Sequence, residues 1–290
     1  MTRKIQPLFE RVDPPRSQAR LPINRVAQWY SWSPEFVCAI RELRPFLRSL
    51  PEPTLIRVRH LTEYGDTFHV PAETPQILTP FVRSLSRLPR PRGIMLFTGL
   101  LDGPMDGFAL RRLFALLRHS IAGILGDERF SLYAPLGDVG ANAGDFALHC
   151  DLYLPELLFN VFEEVAADTS GTSLFLSVAH LLRIMKSLPR VPRRVMESVA
   201  DAAAKPLKRD SFDKLYGLLH GSRHPWAAEL ERAMSQRQER IKLNRGQGYL
   251  VHDRAWLHGR EAASGGVSIR RVHRLVFNTI YLQRRVGQAD

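Results

Sequence analysis

The most informative segment of the sequence is Phe146-Ala147-Leu148-His149-Cys150-Asp151. Its apolar character predicts a β-strand, and residues two apart in a strand lie on the same face. His149 and Asp151 are therefore expected to point one way and Cys150 the other, as a small buried residue. An imidazole beside a carboxylate supplies part of a two-histidine, one-carboxylate iron site, although a single His-x-Asp is a weak signal.

A further histidine and a pair of arginines follow much later in the chain. His258 ends an apolar stretch over 249–257 that predicts one strand, and residues 269–282 predict a second strand after a turn. Arg270 and Arg274 share a face of that second strand with valines. A cation on an apolar face is costly unless it is paired. A dicarboxylate ligand would supply the partner, because guanidinium binds carboxylates through two parallel hydrogen bonds.

In this order, the residues resemble the iron(II)/2-oxoglutarate dioxygenases, specifically the taurine dioxygenase-like and clavaminate synthase-like superfamily. The family pattern Asp-Asn-Arg-x-x-x-His is similar to residues 252–258, which read His-Asp-Arg-Ala-Trp-Leu-His. Its Arg-Arg-x-x-His-Arg stretch is similar to residues 270–274, which are one residue shorter, and its Gly-Gly-Asp-Thr-Leu to residues 170–174. The resemblance covers roughly residues 93–180 and 246–283.

The resemblance implies the fold and the domain organisation. The expected class is α+β, with a double-stranded β-helix core (a cupin-like jelly-roll), flanking helices and a helical lid insertion at about 178–245. Residues 93–290 would form this core. Residues 1–92 would form an N-terminal extension packed on it, within a single structural domain.

The resemblance also implies the chemistry. The metal ligands for Fe(II) would be His149, Asp151 and His258. The ligands of 2-oxoglutarate would be Arg274, Ser173 and Arg270, with Arg271 as the alternative to Arg274 if the arginine stretch is registered differently. With O2, the reaction would release succinate and CO2 and hydroxylate a substrate. Desaturation stays open, whereas the presence of Asp151 argues against halogenation.

The substrate site is less defined by sequence. The loop before the His-x-Asp strand offers Asn142, although Asn in a Gly-rich segment also serves turns. Trp256 is two residues before His258 and so lies on the same face of the predicted strand, where it could line the substrate pocket. A role as a core residue is equally compatible with the sequence. The substrate class that the family implies is a small polar metabolite, such as an amino acid or its derivative, with an acidic compound as one option. A peptide or carrier-tethered substrate is the alternative.

Composition restricts the other classes of function. The chain has 290 residues, 44% of them hydrophobic, so it can bury a sizeable core. No apolar segment approaches the about 20 residues that span a bilayer, the first residues show no secretion signal, and two cysteines suggest no disulfide framework. A cytoplasmic location without membrane contact is expected. The oligomeric state is not predicted.

The net charge of +12 suits an anionic partner. Because the charge is spread along the chain and no zinc-finger or RNA-binding signature is present, nucleic acid is the weaker hypothesis. A catalytically inactive interaction protein is a further alternative, against which the complete set of site residues argues.

Several local elements are predicted as well. Ser33 is expected to cap a helix that ends near Leu50, with Pro34 at its first position. Residues 1–22 are expected to form an irregular arm, and 137–144 a Gly-rich loop. Other segments predict strands over 54–60, 94–97 and 157–165, and a helix over 110–125. His220 and His224 are expected at the surface, and His273 as a packed or surface residue.

Overall fold

The fold is that of a computed structural model. It describes residues 7–15, 27–51, 55–56, 65–66, 76–86, 93–102, 105–125, 131–139, 146–151, 157–165, 172–204, 211–221, 224–261 and 269–277. Within these ranges lie thirteen strands and seven α-helices, which confirms the mixed α and β class. None of the helices in the described ranges has the length and apolar character needed to cross a membrane.

The strands are β1 (Phe9–Arg11), β2 (Ala27–Trp32), β3 (Leu55–Ile56), β4 (Gly65–Asp66), β5 (Ile94–Phe97), β6 (Ser131–Val139), β7 (Phe146–His149), β8 (Leu157–Val165), β9 (Ser173–Ser177), β10 (Glu239–Ile241), β11 (Gly248–His252), β12 (Trp256–Arg260) and β13 (Ile269–Phe277). The helices are α1 (Pro34–Ser49), α2 (Thr79–Ser86), α3 (Gly107–Leu125), α4 (Val178–Ser187), α5 (Arg193–Ala204), α6 (Ser211–His220) and α7 (Pro225–Arg237).

Two sheets face each other across an apolar core. The large sheet has seven strands in the order β1-β2-β5-β11-β8-β13-β6, and the small sheet has four in the order β10-β9-β12-β7. Side chains from both sheets form the inter-sheet core, among them Phe162, Phe175, Tyr249, Trp256 and Val276. Strands β6 to β9 alternate between the two sheets along the chain.

Helices cover the outer faces of both sheets. Buried residues of α1, α2 and α3 pack against the large sheet in one cluster that includes Phe36, Phe81, Phe114 and Phe159. The small sheet packs against α4 to α7 in another cluster that includes Leu148, Leu181 and Leu230. Central strands such as β8 therefore have one face in the inter-sheet core and one face under helices, which explains the apolar sequence of that strand.

The predicted helix after Ser33 is confirmed, but the predicted irregular arm is wrong where it is described. Ser33 Oγ accepts a hydrogen bond from the Phe36 backbone N–H at 3.3 Å, as an N-cap does. Within the arm, β1 pairs antiparallel with β2, and Phe9 stacks on Trp32 at a centroid distance of 5.2 Å. A three-residue strand between polar segments is too short to show a period.

Three further predictions need correction. Residues 137–139 of the predicted loop belong to β6, where they pair with residues 269–271, while 140–144 lie outside the described residues. The predicted strand 249–257 is two strands, since the chain turns after His252, where the Ala255 N–H donates to its carbonyl at 2.9 Å. The helical insertion ends at Arg237, and β10 follows it to pair with β9.

The remaining element predictions agree with the described residues. Strands are observed at 94–97 and 157–165, and the helix predicted from residue 110 begins slightly earlier, at Gly107, where Asp106 accepts from the Ala109 N–H at 2.8 Å. Of the strand predicted over 54–60, only 55–56 is described.

A buried charge cluster joins α3 to the large sheet. His273 is fully buried on β13 and contacts the Glu163 carboxylate on β8. Arg111 on α3 donates to the same carboxylate from Nε at 3.2 Å and from Nη2 at 3.1 Å. Burial raises the pKa of Glu163, but the hydrogen bonds from His273 and Arg111 lower it by more, so that the pKa lies at about 2. His273 is therefore a packed residue.

Glu163→Gln is expected to lower the free energy of unfolding at pH 7 by at most about 3 kcal/mol, the full value of a pKa depressed from 4.5 to about 2, because solvent screening reduces the effect at a partly buried carboxylate. Because the folded pKa is depressed, this stability is present above about pH 4.5 and is lost as the pH falls toward about 2. Urea unfolding across this pH range should therefore show that the free energy of unfolding falls less steeply with decreasing pH in the variant than in the wild type.

Glu164→Gln is the matched control. Its side chain is 49% exposed and pairs only loosely with Arg271, at 3.6 Å. We expect it to change stability by less than about 1 kcal/mol. The cluster would be shown not to stabilise the fold if both variants lost the same free energy of unfolding. The same conclusion would follow if the stability of Glu163→Gln depended on pH as that of the wild type does.

Candidate metal centre

Three predicted ligands converge between the sheets. His149, Asp151 and His258 each offer one ligand atom, and these atoms all lie within 4.8 Å of one another. Asp151 Oδ1 is 3.4 Å from His149 Nε2, and Asp151 Oδ2 is 3.4 Å from His258 Nε2. Two ligand atoms about 2.1 Å from a shared ion are about 3.0 to 3.4 Å apart, for right-angle to tetrahedral geometry. The spacing thus fits one ion.

The small sheet creates this convergence. Strands β7 and β12 are neighbours, and His149 and His258 are directly paired across them, with ring centroids 4.4 Å apart. Both rings face the large sheet. Leu148 and Cys150 face the helices instead, which confirms the alternation predicted for Cys150. Burial raises the pKa of the Cys150 thiol, with Asp253 and Asp151 adding to the effect.

The ring nitrogens of the two histidines are set up to bind a cation. The Ala147 carbonyl lies 2.8 Å from His149 Nδ1 and accepts its proton, which leaves the lone pair on Nε2 facing Asp151. Burial, followed by the nearby His149, lowers the pKa of His258 to about 4. His258 is therefore neutral at pH 7, the form in which imidazole binds metals.

Arg274 lies directly against the carboxylate of the triad. Its Nη1 donates to Asp151 Oδ2 at 2.6 Å, and its Nε donates to Asn160 Oδ1 at 3.1 Å. Burial raises the pKa of Asp151, but Arg274 and then His258 lower it by more, so that it lies well below the usual value. Asp151 is thus an anion. Two imidazoles and one carboxylate form a donor set suited to Fe(II).

Arg271, the alternative to Arg274, points away from the triad. It lies on the opposite face of β13, 3.5 Å from Glu163 and 3.6 Å from Glu164. For Arg270 the backbone position is described, and a register shift against β8 follows Arg271. The backbone of Arg270 pairs with Asp138 and Val165.

The remaining predicted site residues are Ser173, Trp256 and Asn142. Ser173 is buried at the start of β9, two residues before Phe175, which pairs with His258. Trp256 is buried in the inter-sheet core, which favours its interpretation as a core residue. Asn142 lies outside the described residues.

Sequence reasoning missed the residues that support the ligands. Asp253 is 1% exposed, and its Oδ1 accepts from the Asp151 backbone N–H at 3.0 Å. Asn160 is also 1% exposed and holds Arg274. A signal for Asn160 existed, because it is a lone amide inside the apolar run of β8. Asp253 lies in the predicted strand 249–257 and in the motif at 252–258, where it was given no role of its own.

His220 also differs from its prediction. It is not a surface residue, because it is half-buried and its ring Nε2 lies 2.8 Å from the Leu148 carbonyl. The contact joins α6 to β7, next to His149. His224 is exposed at the start of α7, as predicted.

Comparison with known proteins gives structural likeness alone. No protein-family model and no curated protein matches this sequence. A structure of asparagine oxygenase with Fe(II), 2S,3S-3-hydroxyasparagine and succinate is similar, at 12% identity and a TM-score of 0.44, over 86% of this chain and 93% of that chain.

Two other structures are similar to the chain. The non-heme iron oxygenase OrfP shows 16% identity and a TM-score of 0.42, over 89% of this chain and 96% of that chain. PvcB from Pseudomonas aeruginosa shows 15% identity and a TM-score of 0.41, over 88% of this chain and 86% of that chain. At these values the likeness is distant, and the chemistry of the site is inferred from its own side chains.

Proposed function

We propose that this protein is an Fe(II)- and 2-oxoglutarate-dependent oxygenase. The observation that carries the proposal is the meeting of His149, Asp151 and His258 within 4.8 Å, with Arg274 against Asp151. Two imidazoles and one carboxylate on one side of an ion leave further positions open, which is the arrangement used by non-heme iron(II) oxygenases.

The residues of the chain have distinct roles in this proposal. When bound, Fe(II) would supply dioxygen activation coupled to oxidative decarboxylation of 2-oxoglutarate to succinate and CO2. Arg274 binds the far carboxylate of 2-oxoglutarate, Ser173 contributes its hydroxyl, and Arg270 is kept as a second basic candidate. The bond from Arg274 Nε to Asn160 supports this role, because it fixes the orientation of the guanidinium.

The order of the strands supports the proposed double-stranded β-helix. Strands β6 to β13 contribute four neighbouring strands to each sheet, in the orders β11-β8-β13-β6 and β10-β9-β12-β7. A single structural domain with an extension over residues 1–92 is supported by Phe9, which packs against Phe97 and Phe159 of the large sheet.

The proposed substrate is an amino acid or amino-acid derivative, hydroxylated at an unactivated C–H bond. Desaturation is the alternative outcome, and a peptide or carrier-tethered compound the alternative substrate. Asn142 is kept as a candidate substrate ligand. A cytoplasmic location is also proposed, since Cys38 and Cys150 are both free thiols.

A substrate screen tests this function. The protein is incubated in air with Fe(II), 2-oxoglutarate and single amino acids, beginning with asparagine and arginine and extending to acidic derivatives, and succinate is measured. We expect at least one compound to stimulate succinate release and to gain one oxygen atom by mass. Stimulation by peptides alone would instead favour the alternative substrate class. The matched blank omits 2-oxoglutarate.

Arg274→Met is expected to raise the 2-oxoglutarate concentration for half-maximal succinate release about 100-fold, from the loss of two charge-assisted hydrogen bonds. Arg271→Met is the control and should leave that concentration unchanged, because Arg271 faces the Glu163 side of the sheet. If Arg271→Met shows the larger effect, the assignment of Arg274 is wrong.

A further inference from the structure

Asp253 is a buried carboxylate beside the metal centre that has no role in the function proposed above. It lies in the turn between β11 and β12 and is 1% exposed. Burying an ionised carboxylate is costly unless hydrogen bonds and nearby protons compensate for the lost hydration. The groups that Asp253 contacts therefore indicate its role.

Asp253 meets two of the three proposed ligands through a single oxygen atom. Its Oδ1 accepts a hydrogen bond from the backbone N–H of Asp151 at 3.0 Å and lies 3.7 Å from Nδ1 of His258. The first contact joins the turn after β11 to the end of β7 across 102 residues of sequence. One side chain thus links the two chain segments that supply the ligands.

The Nδ1 atoms of the two histidines face different groups. Nδ1 of His149 faces a neutral carbonyl, that of Ala147, at 2.8 Å. Nδ1 of His258 faces the Asp253 carboxylate, is buried, and has no hydrogen-bond partner within the described part of the chain. A shift of about 0.5 Å would complete that hydrogen bond.

The proton on His258 then has one suitable place. A neutral imidazole carries a single proton, so a ring that binds an ion through Nε2 must carry the proton on Nδ1. A carboxylate that accepts this proton fixes the tautomer and the ring orientation, and it makes the imidazole a stronger ligand.

We propose that Asp253 is a positioning residue of the metal centre, which holds Asp151 through its backbone N–H and keeps the His258 proton on Nδ1. The inference rests on the metal site of the proposed function and adds a residue to it. Asp253→Ala is expected to weaken binding of a divalent ion about 10- to 100-fold. Asp253→Asn should weaken it less, because it keeps an oxygen for the Asp151 N–H.

The experiment compares wild-type protein, Asp253→Ala, Asp253→Asn and Glu42→Gln, which removes an exposed carboxylate of α1. Co(II) affinity is measured by titration, and the His258 ring is followed by long-range proton–nitrogen NMR of the Zn(II)-loaded protein. We expect the wild type to show a hydrogen-bonded proton on His258 Nδ1, and Asp253→Ala to lose or shift that signal. Glu42→Gln should match the wild type in both measurements.

The outcomes separate the two proposals. If wild-type protein binds neither Co(II) nor Zn(II), the proposed function and this inference both fail. If wild type binds them and both Asp253 variants bind as tightly as Glu42→Gln with an unchanged His258 signal, the inference is wrong and the metal centre stands. Should Asp253→Ala not fold, Asp253→Asn decides the question, since it has nearly the same shape.

Discussion

Asp151→Ala is expected to abolish succinate release and to lower the affinity for Fe(II) more than about 100-fold. Loss of a residue that only supports a metal ligand costs about 10- to 100-fold in affinity, and loss of a ligand should cost more. The physical reason is that Asp151 is the only anion in the proposed ligand set, and its oxygens face His149 and His258 at 3.4 Å each. Without it, two imidazoles remain. Anaerobic Fe(II) titration and succinate measurement give the two readouts.

His149→Ala should have the same effect on both readouts. His224→Ala is its matched control, because His224 is exposed at the start of α7. Retention of Fe(II) affinity and succinate release in Asp151→Ala or His149→Ala would place the metal site elsewhere.

Asp151→Ala is also expected to destabilise the metal-free protein by about 3–5 kcal/mol, because it leaves a buried cation without its anion. The cation is Arg274, whose side chain is 16% exposed and whose Nη1 lies 2.6 Å from Asp151 Oδ2. Urea unfolding in the presence of a chelator measures this loss free of any stabilisation by bound metal.

The double variant Asp151→Ala/Arg274→Met should recover most of that stability, since it removes the unpaired charge. It should not recover Fe(II) binding. This combination separates the electrostatic role of the pair from its role in ligation. A double variant as unstable as Asp151→Ala alone would mean that the pair does not account for the loss.

The site was predictable where its geometry follows from local periodicity. The opposite directions of Cys150 and His149 follow from strand alternation alone. The placement of His149 beside His258 does not follow from alternation, because cross-strand pairing joins residues that are far apart in the chain. Resemblance to a family suggested that both are ligands, and the pairing of β7 with β12 shows how they meet.

The parts that sequence missed are set by long-range contacts. Asp253 lies in the segment predicted as one strand, and its hydrogen bond to Asp151 appears only when β11 and β7 are brought together. The segment around Phe9 reads as an irregular arm, yet it adds β1 to the large sheet. In both cases the local sequence does not specify the contact, and tertiary packing decides the structure.

The net charge of +12 does not arise at the site, where the arginines face carboxylates. Arg274 is paired with Asp151, and Arg111 and Arg271 face Glu163. Other arginines lie on exposed positions of the helical insertion, such as Arg193, which pairs with Glu197 at 2.9 Å. This exposed pair favours the interpretation of a solvated helical face.

The central claim is that one site binds both Fe(II) and 2-oxoglutarate, and anaerobic absorption spectroscopy tests it most directly. Fe(II) is added to the wild-type protein without oxygen, followed by 2-oxoglutarate, with Asp151→Ala as the control. The account predicts a weak visible charge-transfer band that requires both additions and is absent from Asp151→Ala. Well-folded wild-type protein that shows no such band at saturating Fe(II) and 2-oxoglutarate would contradict it.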